Sequence, residues 1–177
     1  MYIFFENLLD PEKCDLFNRI ILKLKEEKRL NYEADGRHYA NSYGTGRIPE
    51  YENFLRELTP LVKQKTGLDN ITEENSYARI YYNGAALKKH VDRPGLDLTL
   101  SVCTFNNLDK PWELHVEVEK NKVMSFETKP GQGALILGTK MLHWRDDLIC
   151  REDQYVIQSF YHWKINPVDD KINKIFV

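Results

Sequence analysis

The sequence predicts a mainly β protein with flanking helices, an α+β arrangement in which two N-terminal helices brace a β-core. Two observations carry this. Apolar residues recur every three to four positions in the first third of the chain, and from Tyr77 onward the period falls to two. In that second part, short runs rich in β-branched and aromatic residues are separated by turn signals such as Asn83-Gly84, Arg93-Pro94-Gly95 and Lys129-Pro130-Gly131. Many short strands spaced in this way predict a sandwich, a barrel or a jelly roll.

Asp10-Pro11 supplies an N-cap and a first-turn proline, and Leu16, Phe17, Ile20, Ile21 and Leu24 then form one apolar face, which predicts the first helix. Pro49 opens a second helix with Phe54, Leu58 and Leu61 on one side, and Pro60 is expected to kink or divide it. Between the helices, Asn31 to Ile48 carries three glycines and reads as a mobile segment with edge strands. Tyr43 within it is a candidate substrate contact on a loop that closes over the site, because glycine permits the backbone angles such closure needs. The predicted strands are Tyr77–Tyr82, Leu96–Phe105, Trp112–Lys120, Val123–Phe126, Ala134–Leu137, Met141–Arg145 and Tyr155–Trp163.

Composition narrows the functional classes. The 177 residues, 42% of them apolar, predict one domain over 1–177, with a helical part over about residues 1–70 and a β-core over about residues 75–165. A chain of this length buries about 70% of its unfolded surface. Basic and acidic residues nearly balance, 25 against 27, and no Lys/Arg run with interleaved aromatics marks a nucleic-acid track. Cys14, Cys103 and Cys150 are odd in number and lack C-x-x-C spacing, which fits a reducing compartment. The apolar start Met1 to Phe5 is too short for a signal peptide, and no long apolar run follows, so a cytoplasmic protein with no membrane association is expected. Nothing in the sequence fixes the oligomeric state.

The most informative motif is His90-Val91-Asp92 followed by His143. Residues two apart on a strand share a face, so His90 and Asp92 can reach one metal while Val91 points away. Two imidazoles and one carboxylate are the donor set of the facial triad of non-heme Fe(II) oxygenases, which leaves the opposite side of the metal open. His115-x-Glu117 has the same spacing and serves as an internal control. It is rejected as a site because Glu113, His115, Glu117 and Glu119 form a polar face opposite Leu114, Val116 and Val118, the pattern of a solvated strand. His38 and His162 have no carboxylate at ligand spacing and are read as structural.

The ordered set Tyr81-x-x-Gly84-x-x-Leu87-x-x-His90-x-Asp92-Arg93-Pro94, then Pro130-Gly131-x-Gly133-Ala134-Leu135-Ile136-Leu137-Gly138, then His143-Trp144-Arg145 resembles the Fe(II)/2-oxoglutarate dioxygenase domain of prolyl 4-hydroxylase-type proteins. The resemblance implies a double-stranded β-helix, a cupin-like jelly roll, with Fe(II) on His90, Asp92 and His143 at its mouth. It further implies 2-oxoglutarate as cosubstrate, O2 as oxidant, ascorbate as a possible additional cofactor, and hydroxylation of an unactivated carbon coupled to formation of succinate and CO2. An aspartate at position 92 points to hydroxylation over halogenation. The substrate implied is prolyl in a peptide or protein, with a small molecule or another amino-acid side chain as the alternative, and a catalytically silent metal-binding jelly roll as the rival of a different class.

The chain departs from the family in two places. The window after the distal histidine that usually supplies a Lys or Arg for the 2-oxoglutarate C5 carboxylate holds Glu152, Asp153 and Gln154. Arg145 and Arg151 are the candidate replacements, since a planar guanidinium pairs bidentately with a carboxylate. Tyr81 and Gln158 are candidate additional contacts. Leu87 stands where many prolyl hydroxylases carry tyrosine, and Arg93 and Trp144 are candidate substrate contacts beside the ligands.

Overall fold

A computed structural model describes residues 2–33 and 39–166. It contains two helices and ten strands among those residues, in the order β1 (Tyr2–Phe5), α1 (Pro11–Glu26), β2 (Asn31–Glu33), β3 (Tyr39–Gly46), α2 (Pro49–Thr66), β4 (Ile71–His90), β5 (Leu98–Asn106), β6 (Leu114–Glu119), β7 (Lys122–Phe126), β8 (Gly133–Ile136), β9 (His143–Arg145) and β10 (Val156–Ile165).

The strands follow the order β1-β8-β5-β10-β4-β9-β6-β7, every pairing antiparallel, with β3 added beside β4 and β2 beside β3. The 20-residue strand β4 is what curls this sheet into a jelly roll. Its first half pairs with β10 through Tyr81, and its end pairs with β9 at Leu87 and His90, so one strand serves two leaves. The expected turn at Asn83-Gly84 is instead the bend within β4. Gly84 there has φ +81°, which glycine alone adopts without steric cost, and it pairs by backbone hydrogen bond with Leu148.

The helices cover the outer face of the β1-β8-β5-β10-β4 leaf. Asp10 caps α1 by accepting from Lys13 N at 2.7 Å, and Cys14, Phe17 and Ile21 form its buried stripe. Asn18 reaches from α1 to the carbonyl of Thr104 on β5 at 2.9 Å. In α2, Tyr51, Phe54, Leu55, Leu58 and Val62 are buried, and Thr59 receives the Trp163 indole N–H from β10 at 2.8 Å. Pro60 does not divide this helix: it lies on the exposed side, where the carbonyl left without a partner faces water, and the buried stripe holds the turns together. Neither helix is long and apolar enough to cross a membrane.

Two further differences from the sequence reading have physical causes. Tyr2–Phe5 is a strand, paired edge to edge with β8. The glycine-bearing segment before α2 forms β3, laddered against β4 from Tyr39↔Leu87 to Gly46↔Tyr77, and so is sheet. A side chain at Gly44 would strike the Tyr77 ring at 2.7 Å, so glycine there serves close packing. His38 lies outside the described residues.

Candidate metal centre and cosubstrate pocket

His90 closes β4 and His143 opens β9, and the two are direct cross-strand partners. Adjacent antiparallel strands therefore bring the imidazoles side by side, with ring centroids 4.4 Å apart and the planes tilted by 51°. Asp92 sits just beyond the end of β4, not on it, and its N–H donates to the Gly138 carbonyl at 2.8 Å. Its carboxylate Oδ1 is 3.6 Å from both His90 Nε2 and His143 Nε2. One ligand atom from each of the three residues lies within 4.8 Å of the others.

The ring orientations are fixed from behind. His90 Nδ1 meets the Lys88 carbonyl at 2.7 Å, and His143 Nδ1 meets the Met141 carbonyl at 2.8 Å. A carbonyl only accepts, so each Nδ1 carries the proton and each Nε2 offers its lone pair toward the centre. Asp92 is held likewise: Thr99 Oγ1 donates to Oδ2 at 2.5 Å and leaves Oδ1 aimed at the histidines. Burial alone would push the Asp92 carboxyl up. The neighbouring His143 and His90 rings and the hydrogen bond from Thr99 outweigh it and hold the group well below the ordinary carboxylate range, hence ionised. Two imidazoles whose Nε2 atoms face one carboxylate at the mouth of an open cavity fit a divalent iron ion.

Gly138 is what makes room. A Cβ there would lie 2.1 Å from Asp92 Oδ2, 2.5 Å from Thr99 Oγ1 and 2.6 Å from the Leu96 carbonyl. The Gly-rich stretch before β9 thus ends on a residue that lets the carboxylate pass. Neither Thr99 nor the spatial role of Gly138 was evident from spacing. The alternation of polar Thr99, Ser101 and Cys103 with Leu98, Leu100 and Val102 is the signal that marks this inner face of β5.

The ligands lie in the wall of a cavity of about 410 Å³, within the range of small-molecule sites. Leu87, Leu114, Ile136 and Arg145 line it as well. Arg145 is 3% exposed, two residues beyond His143 on β9. One guanidinium nitrogen donates to the Trp112 carbonyl at 2.5 Å, and the group sits 4.8 Å from the Trp112 ring centroid. Its Nη2 has no hydrogen-bond partner among the described residues, and neither does the fully buried Tyr81 hydroxyl. Burial depresses the Arg145 pKa, partly offset by Tyr81 and Cys103, but a guanidinium stays charged in proteins. A buried guanidinium nitrogen and a buried hydroxyl without partners are costly unless a ligand completes them.

The remaining expected site residues are distributed as follows. Gln158 is buried, bonded to Ser101 at 3.2 Å and Thr128 at 3.4 Å, and sits behind Ser101 in the cavity wall. Arg93 lines the mouth, paired with Glu74 at 3.6 Å. Three positions are corrected. Arg151 is exposed and ion-paired with Asp109 and Asp153, outside the cavity lining. Tyr43 packs against a tilted Tyr32 and edge-on to Tyr82 beneath the Lys25 ammonium, also outside it, because β3 is tied into the sheet. Trp144 points opposite to His143, as strand alternation requires, and packs under Lys89 at 4.5 Å. His162 joins the cavity wall, accepted by the Asn75 carbonyl at 3.1 Å, and burial pushes it down so that it is neutral.

No family model matches the sequence, and no curated protein matches it. Solved structures do match the fold. A prolyl-4-hydroxylase from Pseudomonas putida superposes with a TM-score of 0.72 at 11% identity, covering 93% of this chain and 92% of that one. A viral collagen prolyl hydroxylase from Paramecium bursaria Chlorella virus-1, solved as a 2-oxoglutarate complex, gives a TM-score of 0.69 at 16% identity, covering 93% and 95%. A non-heme alpha-ketoglutarate-dependent carbocyclase from nogalamycin biosynthesis gives 0.69 at 10% identity, covering 99% and 86%. With its curled antiparallel sheet, its two bracing helices and this structural likeness, the chain has the prolyl 4-hydroxylase-like fold of the 2-oxoglutarate-Fe(II) oxygenases.

Proposed function

We propose that this protein is an Fe(II)- and 2-oxoglutarate-dependent oxygenase that hydroxylates an unactivated C–H bond. The observation that carries the reading is the conjunction, in one cavity, of the His90, Asp92 and His143 triad with Arg145, whose Nη2 has no hydrogen-bond partner among the described residues. The cosubstrate has a chelating keto acid at one end and a carboxylate at the other, and the cavity offers a metal site and a cation for the two ends.

His90, Asp92 and His143 would hold the iron, and the bound metal with the keto acid supplies the means to activate O2. The net reaction is R–H + O2 + 2-oxoglutarate → R–OH + succinate + CO2. Each protein group has a separate duty. The Lys88 and Met141 carbonyls fix the imidazole tautomers, and Thr99 fixes the carboxylate. Arg145 and Tyr81 would take the C5 carboxylate, in place of the basic residue that the stretch after His143 lacks. Leu87, Leu114 and Ile136 exclude water between these two ends.

Prolyl in a peptide is the substrate suggested by likeness to prolyl hydroxylases, and a small molecule is the alternative suggested by likeness to the carbocyclase. The oxygenase reading is tested without knowing the substrate. Anaerobic metal-free protein is titrated with Fe(II) and 2-oxoglutarate while the weak visible charge-transfer band of the iron chelate is followed. A saturable band, absent in His90→Ala, is expected. Iron binding with no band in the wild type would overturn the cosubstrate assignment and favour a catalytically silent metal-binding jelly roll.

A further inference from the structure

The cavity also carries charges that iron and 2-oxoglutarate leave unused. Arg79, on β4, lines it at 3% exposure. Its guanidinium lies 3.3 Å from Glu33 Oε1, donates to Ser42 Oγ at 2.8 Å, and sits 5.0 Å from the Tyr77 ring centroid. Glu33, on β2, also lines the cavity, and its side chain is 33% exposed. Asn75, Tyr77, Leu96 and Phe160 belong to the same lining. A cation and an anion thus stand side by side in the wall of the cavity that contains the metal ligands. Burying such a pair gains little stability by itself, which makes a role in binding the more economical account.

Resting on the oxygenase reading, we propose that this wall receives a free α-amino acid as the substrate, its carboxylate on Arg79 and its ammonium on Glu33. The two charged groups of an amino acid hang from one carbon, so both can engage an adjacent pair of opposite charges. Its side chain is then left to the apolar Leu96 and Phe160 and to the metal ligands. A residue inside a peptide has neither charge and would displace water from the partly exposed Glu33 without offering it or Arg79 a charged partner. Sites built around buried polar partners reject analogues that lack them far more strongly than apolar pockets discriminate size. Arg93 is the weaker candidate for this role, being 59% exposed and already paired with Glu74.

The test is a calorimetric titration of each standard free L-amino acid onto anaerobic protein loaded with Fe(II) and 2-oxoglutarate, followed by mass spectrometry of aerobic reactions for a 16-Da gain. At least one free amino acid is expected to bind and turn over, and its N-acetyl amide to bind at least about 100-fold more weakly. Arg79→Met should weaken that amino acid by about 10–100-fold, with Arg79→Lys recovering part of the loss. Glu33→Gln should weaken the amino acid but not the 2-hydroxy acid of the same side chain, which lacks the ammonium.

The keto-acid band in Arg79→Met reports both folding and the cosubstrate site. Loss of that band, with the protein still folded by circular dichroism, would assign Arg79 to 2-oxoglutarate and overturn the proposal. Binding of blocked peptides in preference to every free amino acid would overturn it too, as would unchanged amino-acid affinity in Arg79→Met. Absence of the band in the wild type would sink the oxygenase reading instead, and titration of the amino acids onto metal-free protein would still decide the wall's role.

Discussion

His90-x-Asp92 and His115-x-Glu117 have the same spacing and the same residue chemistry, yet only the first belongs to a group of three donors that could hold a metal ion among the described residues. On β6, His115 is taken by Ser125 at 2.8 Å and Asp146 at 3.3 Å, while Glu117 pairs with Lys89 at 3.1 Å. Both belong to the face opposite the buried Leu114 and Val116. His90 and Asp92 instead meet a third candidate ligand from β9, and hydrogen bonds to the Lys88 and Met141 carbonyls and from Thr99 aim the donor atoms at one point. Spacing along a strand puts two donors on one face. The neighbouring strand and the supporting hydrogen bonds decide whether that face is a site.

The comparison breaks first on metal content. His143→Ala is expected to abolish stoichiometric Fe(II) binding and His115→Ala to leave it intact, read by metal analysis after anaerobic loading. Equal loss in both variants would erase the distinction. Next in size is Gly138→Ala, whose Cβ would displace Asp92 and Thr99. Overpacking of this kind costs about 1–3 kcal/mol of stability, so a lowered melting temperature together with weakened Fe(II) binding is expected.

Of similar size, but on the cosubstrate, Arg145→Met should weaken 2-oxoglutarate by about 1.5–3 kcal/mol, the usual worth of a charged hydrogen bond. Arg151→Ala should not change it, because that side chain is held by Asp109 and Asp153 away from the cavity. The reverse pattern would move the anchor to the loop after β9. The smallest effect is expected for Thr99→Val, which removes only the hydrogen bond to Asp92 Oδ2. Loss of such a supporting contact typically lowers metal affinity about 10–100-fold, and Thr99→Ser should restore most of it. An unchanged affinity in Thr99→Val would mean that the Asp92 backbone contact to Gly138 orients the carboxylate by itself.

Much of this molecule was legible in the order of its residues. The helix starting at Pro11 announces itself by cap and periodicity, and each predicted strand after residue 95 overlaps a strand of the fold. The candidate triad was legible from residue type and motif order, which are local, although Asp92 lies just beyond β4 and does not share its strand with His90. Less local features escaped. Tyr2–Phe5 reads as a short apolar run until β8 is beside it, and Arg79 reads as one polar residue in a strand until Glu33 and Ser42 arrive from β2 and β3. Arg145 and Arg151 were equivalent candidates on spacing, and only the packed structure separates a buried guanidinium with a free nitrogen from an exposed one held by two carboxylates.

The sequence by itself determined the class of architecture and the candidate donor set, because periodicity and side-chain chemistry are properties of neighbours along the chain. Tertiary structure alone decided the meeting of His90 with His143, the space that Gly138 leaves for Asp92, and the cation that remains unpaired beneath them. Those depend on which strands become neighbours in the folded sheet, and cross-strand register is set by packing the whole core at once.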